Sequence, residues 1–185
     1  VPLRNSWNIS IGGSLNNETH LKNQLGYAGS PTDFLGFDNG TRGLADGINT
    51  ALNPQGNGYS LLGNGLNNDW TISKIKPVAD LSISASLSQR WHTAGGQTFG
   101  LNGSINYSNA YRTLKDVENN MFGAYDITHD KSNYLRKAKD DQYTNNVRLG
   151  ALLSCVWLSS DGSQRIEMKH IFNQLGKDRY TYRKG

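Results

Sequence analysis

Along residues 7–15 apolar or small side chains alternate with polar or small ones. Trp7, Ile9, Ile11, Gly13 and Leu15 share one parity; Asn8, Ser10, Gly12 and Ser14 share the other. The pattern returns at 81–91, where Leu81, Ile83, Ala85, Leu87, Gln89 and Trp91 alternate with Ser82, Ser84, Ser86, Ser88 and Arg90. It recurs in Phe99, Leu101, Gly103, Ile105 and Tyr107, then in Val147, Leu149, Ala151, Leu153, Cys155 and Trp157, and last in Ile166, Met168, His170 and Phe172. Successive side chains of a strand point to opposite faces, so a period of two predicts strands with one apolar and one polar face. Five are predicted, near 6–17, 79–91, 99–113, 145–158 and 164–182.

Turn chemistry gives an independent check. Asp161-Gly162 is a dipeptide favoured in two-residue type I′ hairpins, where both central residues need positive φ. A hairpin centred there sets Trp157 opposite Ile166, Cys155 opposite Met168, Leu153 opposite His170 and Ala151 opposite Phe172. A three-residue loop Ala94-Gly95-Gly96 sets Trp91 opposite Phe99, Gln89 opposite Leu101, Leu87 opposite Gly103 and Ala85 opposite Ile105. Both registers put the apolar sets on one face, so turn and pattern specify the same pairing.

Connections alternate in length. Tight turns join the second strand to the third and the fourth to the fifth, whereas long polar segments, 18–78 and 114–144, fill the other gaps. Short turns at one end and long loops at the other are the mark of a transmembrane β-barrel. Trp7, Trp91, Phe99 and Trp157 are expected at the short-turn end, and Tyr107 and Tyr111 at the other. Such aromatics collect at membrane interfaces because one edge is apolar and the other hydrogen-bonds. Aromatics also close the ends of soluble β-sandwich cores, so that alternative stays open.

Composition agrees with strands. Only 18% of the 185 residues are charged; three are Glu and 21 are Asn, a balance that disfavours helices. The whole net charge of +4 is carried by residues 164–185, with Arg165, Lys169, Lys177, Arg179, Arg183 and Lys184 against Glu167 and Asp178. One charged terminal strand is not the basic, aromatic-interleaved face of a nucleic-acid binder, and no nucleic-acid partner is expected. The single Cys155 forms no internal disulfide, and the four His lack metal spacing.

Several segments carry a resemblance. Residues 6–17 (SWNISIGGSLNN), 32–42 (TDFLGFDNGTR), 67–90 (NNDWTISKIKPVADLSISASLSQR), 99–112 and 150–185 (ending KHIFNQLGKDRYTYRKG) resemble the first strands and first surface loop of a TonB-dependent outer-membrane receptor barrel. The similarity runs through essentially the whole chain in order and spacing. It implies a cell outer-membrane location, contact with outer-membrane lipid, short periplasmic turns, long extracellular loops and energised import of a scarce ligand. It also implies a plug domain that contacts TonB, which nothing in this chain resembles, and in some members a surface lipoprotein partner. Five strands close neither an eight-stranded nor a 22-stranded barrel. The chain is thus expected to be a section of a barrel, with a small independent barrel, an adhesin or a soluble carbohydrate-binding sandwich as alternatives. One face of the fourth strand carries Leu152 and Val156, too apolar for an open lumen, and a plug would bury them.

Candidate ligand contacts are loop residues. Asp33, Asp38, Asn39 and Asp69 could offer oxygens to a cation or sugar, but they lack EF-hand spacing, and Asx and Gly more often build turns. Arg42 follows the Asp38–Gly40 segment and is read as part of that turn. Tyr125 and Tyr134 could stack on a sugar or siderophore, or cover their own loop. The sequons at Asn8, Asn17, Asn39, Asn102 and Asn106 match what this composition yields by chance. No nucleophile elbow or acid–base pairing stands out, so no enzymatic activity and no cofactor are expected.

Overall fold

The computed structural model describes residues 2, 4–41, 43 and 71–185. Arg42 and Asp69 lie outside the described residues. The chain is all-β. Its elements are β1 (Ser6–Ser14), β2 (Gln24–Tyr27), a 3-10 turn (Asp33–Leu35), β3 (Ile72–Ile75), β4 (Asp80–His92), β5 (Thr98–Glu118), β6 (Met121–Asp126), β7 (Lys131–Arg136), β8 (Lys139–Leu158) and β9 (Arg165–Lys184). One five-stranded antiparallel sheet has the order β1-β4-β5-β8-β9, an up-and-down meander. Two small hairpins, β2–β3 and β6–β7, belong to the long connections.

The register is the one the turns predict. Trp91 faces Phe99 and Ala85 faces Ile105 across β4–β5; Trp157 faces Ile166 and Ala151 faces Phe172 across β8–β9. The β4–β5 turn is closed by Gly96 N–H to Thr93 O at 3.0 Å, with Gly96 at φ +78°. A type I′ turn does not occur at Asp161-Gly162. Gly162 has φ +72° and donates to Ser159 O at 3.1 Å, while Asp161 is not among the positive-φ residues. The Ser159 Oγ–Asp161 Oδ1 bond (2.6 Å) and Ser163 N–H to the same carboxylate (3.2 Å) hold this wider loop. Its symmetry about the same centre leaves the register unchanged.

The connections are more ordered than expected of polar loops. β5 and β8 stay paired to Glu118 and Lys139, well past 113 and 145, across one irregularity between Leu114 and Val117. Asp116 takes φ +51° there, a conformation Asp tolerates. Residues 121–136 then form a hairpin rather than open loop. β4 begins at Asp80, three residues after Pro77, so β5 outruns its neighbour on that side. The backbone N–H groups thus left over on β5 are taken by side chains: Tyr111 N–H donates to Asp80 Oδ1 (2.8 Å) and Thr113 N–H to Thr19 Oγ1 (3.1 Å). Buried His20 holds the junction, bonded to Asp80 through Nε2 (3.0 Å) and accepting Asn16 N–H at Nδ1 (2.7 Å).

Candidate functional site

Reading across the sheet, one face is a continuous apolar band. Trp91, Phe99, Trp157 and Ile166 form the row nearest the tight turns; Leu87, Gly103, Leu153 and His170 form the row two steps on. Ile9, Ala85, Ile105, Ala151 and Phe172 follow, then Ile11, Ile83, Tyr107 and Leu149. On β5 the band runs from Phe99 to Tyr107, nine residues. Ile9 (60% exposed), Ile105 (50%) and Leu153 (43%) are open, so the described residues lay nothing over the middle of the band except at Phe172 on β9. Trp7 does not join the Trp91–Phe99–Trp157 row. It faces Leu87, about 13 Å further along the strand direction, and is 73% exposed.

The opposite face is polar over β1, β4 and β5, where Asn8, Ser86 and Ser104 share a row. That row ends in Leu152 and Ile171, both exposed. Val156 is buried at 4% within the chain itself, beside Gly100 and Glu167, whereas Leu152 keeps 39% of its surface open. Leu152 and Val156 therefore differ: Val156 is covered by the chain itself, whereas Leu152, like Ile171 beside it, is not.

From Tyr107 outward on β5, and from Phe172 outward on β9, the apolar-band face is roofed by the first long connection. Tyr107 donates to Phe34 O (2.7 Å), Phe37 stacks on Phe172 (centroids 6.1 Å apart, 16° between planes), and Gln174 Nε2 donates to Gly36 O. Gln24 Nε2 reaches Thr113 Oγ1 (3.0 Å) and Tyr27 Oη donates to Asp178 Oδ1 (2.7 Å). Between roof and sheet lies a cavity of about 190 Å³, walled by Gln24, Tyr27, Asp33 and Phe34 above and by Asn109, Tyr111, Tyr143, Asn145, Asp178 and Tyr180 below. Tyr111 is thus part of the cavity floor rather than of an aromatic row with Tyr107.

Further along, two adjacent carboxylates are buried. Asp140 accepts from Arg183 Nε and Nη2, both at 2.8 Å, and from Asn119 Nδ2 at 2.9 Å. Arg183 and then Asn119 hold its pKa at about 2. Asp141 pairs with Lys184 (2.8 Å) and Lys115 (3.2 Å) and accepts Asp116 N–H (3.0 Å). Chiefly the Lys184 hydrogen bond, and then the Asp116 N–H, hold its pKa at about 2 as well. Both oxygens are saturated by the chain, so this cluster fastens β5, β8 and β9 together.

The sequence-derived candidates do not converge. Asp33 accepts Ser30 N–H (2.8 Å) and shapes the 3-10 turn, although it also borders the cavity. Asn39 accepts Thr41 N–H (3.1 Å), as turn residues do, and Asp38 is exposed beside it. Tyr125 bonds Asp130, while Tyr134 packs on Phe122 (4.8 Å) under Lys137 Nζ (3.9 Å). Those two tyrosines sit on β6 and β7, and neither lines the cavity. Among the described residues no three His, Cys, Asp or Glu gather in a way that could hold a metal. Asn109, Tyr143, Asn145, Asp178 and Tyr180 were not singled out by pattern; their only signal was an unusual density of Tyr and Asn on strand extensions. Comparison with family models, curated proteins and solved structures finds no match for this chain.

Proposed function

We propose that this chain is a section of the wall of an outer-membrane β-barrel, of the TonB-dependent receptor type, in which long loops on the outer side serve ligand capture. The observation that carries the reading is the uncovered apolar band on a five-stranded meander. Its nine residues on β5 match the 9–11 that a tilted strand needs to cross a bilayer. Trp91, Phe99 and Trp157 close it at the tight-turn end, and Tyr107 lies at the loop end. Among the described residues both sheet edges, β1 and β9, keep a free side in the strand order, as neighbouring wall strands would require.

A soluble sandwich would lay a second sheet on the band. Among the described residues the two further sheets have two strands each and lie in the long connections, so this arrangement supports the membrane reading over the sandwich. The polar face, with Leu152 exposed at its apolar edge, suits a lumen filled by a separate plug through which TonB acts. The intact protein should fractionate with outer membranes, require detergent for extraction and show heat-modifiable mobility. Ligand uptake should stop when TonB is deleted. A protein that stays soluble without detergent contradicts the membrane assignment; uptake that persists without TonB contradicts the receptor type alone.

A further inference from the structure

We infer that the outer end of the polar face binds an acidic oligosaccharide, a hydrophilic chain carrying carboxylate or sulfate groups, as the captured ligand. This rests on the outer-membrane reading above, whose ligand class it names. Four cations share that end of the face: Arg112 on β5, Arg148 on β8, and Lys177 and Arg179 on β9. Cross-strand pairing sets them in three successive rows, Ser108–Arg148–Leu175, Ala110–Asn146–Lys177 and Arg112–Thr144–Arg179. With strands about 5 Å apart and rows about 7 Å apart, their Cα atoms fall within about 10 by 14 Å. All four are exposed, and none has a hydrogen bond or ion pair among the described residues. The carboxylates of the same parity in the sheet are already engaged: Asp80 by Ser14, His20 and the Tyr111 N–H, Asp140 by Arg183 and Asn119, and Glu167 by Arg165 and Lys169.

Face and height separate this patch from lipid and plug. Arg148 pairs with Ser108, one residue beyond Tyr107, where the apolar band on the opposite face ends. Lipid phosphates at that height meet the band face, not this one. Leu152 and Ile171, exposed where a plug would cover them, lie four residues inward of Arg148 and Leu175. The cations thus line the outer mouth, ahead of the plug, on the path of an entering ligand. Arg forks hold oxyanion groups bidentately, and a wall of one sign concentrates counter-ions before contact. No aromatic side chain shares the three rows, so a nucleobase or aromatic chelate finds nothing to stack on. The backbone ladder of β5, β8 and β9 is complete here, which leaves a peptide no edge to pair with. Between the cations Ser108 and Asn146 offer a hydroxyl and an amide, which suit the hydroxyls between the acid groups of a sugar chain.

The test is isothermal titration of the intact protein, in detergent micelles at low ionic strength, with trigalacturonate as probe. Trigalacturonate should bind, and Arg112→Gln combined with Arg179→Gln should weaken it about tenfold. Lys169→Gln, at the tight-turn end of the same face, should leave the affinity unchanged. The substituted side chains are all exposed, and heat-modifiable mobility checks that each variant folds. Absence of binding, as an acidic plug surface seated on these cations would give, overturns the site. So does an affinity unchanged in the double variant, or an equal loss in Lys169→Gln. Neutral maltotriose bound as tightly overturns the acidic class, and triglutamate bound as tightly overturns the sugar. Solubility without detergent shows at extraction, before any titration, and overturns the outer-membrane reading instead.

Discussion

Gly176 of β9 lies so close to Gly36 in the first long connection that a Cβ on Gly176 would stand 2.7 Å from the Gly36 Cα. Two glycines at one contact let the roof of the cavity touch the sheet, backbone to backbone. Gly36 also sits at φ +79° and donates to Asp33 O at 2.9 Å, which closes the 3-10 turn. Gly176→Ala should push the roof away at a cost of about 1–3 kcal/mol. Hydrogen exchange in residues 24–37 should accelerate while the β4–β5 core of the sheet is unchanged. Unaltered exchange in 24–37 would show that the contact does not seat the roof.

The β8–β9 turn offers a cleaner backbone test. A Cβ on Gly162 meets nothing within 4 Å, so only its φ of +72° resists a side chain. Gly162→Ala should cost about 1–2 kcal/mol, and Gly162→Asn clearly less, because Asn visits the left-handed region. Denaturant midpoints for folding into detergent micelles measure both. Equal losses for Ala and Asn would mean that the conformation is not what makes Gly necessary.

These two positions mark how far sequence reasoning reached. Every predicted pair from Trp91–Phe99 to Ala151–Phe172 could be read because turn symmetry and facial alternation gave the same answer. The turn at Asp161 is not the type I′ that its dipeptide favours, yet a four-residue loop about the same centre preserves the register. The outer ends of β5 and β8, 114–118 and 139–144, were not legible, since Lys115, Asp116, Asp140, Asp141 and Gln142 are polar on both parities and give no period. The cavity was hidden for another reason. β2 and β3 are four residues each, pair across 44 intervening residues, and meet Tyr180 only in three dimensions.

Acid should loosen the outer end of the sheet first. Asp140 and Asp141 are held at about 2, against an ordinary value of 3.8, by hydrogen bonds from Arg183, Lys184 and their neighbours. A depressed folded-state pKa contributes stability that is present above about pH 4 and is lost as pH falls through about 2. Proteolysis or exchange at 139–144 and 179–184 should therefore rise between pH 4 and pH 2. In Asp140→Asn the same region should already be looser at pH 7 and should change less on acidification. A pH response identical to wild type would separate the carboxylate from this effect.

The two faces of β5 should answer charge differently. Ile105 lies mid-band and 50% exposed, while Ser104 points to the polar face. Ile105→Arg should destabilise the membrane-inserted state by about 2–4 kcal/mol, and Ser104→Arg by much less. Urea titrations of the protein in phospholipid vesicles would read the difference. Comparable losses at both positions would place neither face against lipid.

Single cysteines placed one at a time from Phe99 to Tyr107, in a Cys155→Ala background, test the central claim most directly. In vesicles containing the intact protein, labels at Phe99, Leu101, Gly103 and Ile105 should be quenched by bilayer-embedded nitroxides and shielded from a water-soluble thiol reagent. Labels at Gly100, Asn102, Ser104 and Asn106 should escape the lipid quencher. A two-residue period in quenching is the predicted result. Equal reaction of all positions with the aqueous reagent, with no lipid quenching at any of them, would contradict the account.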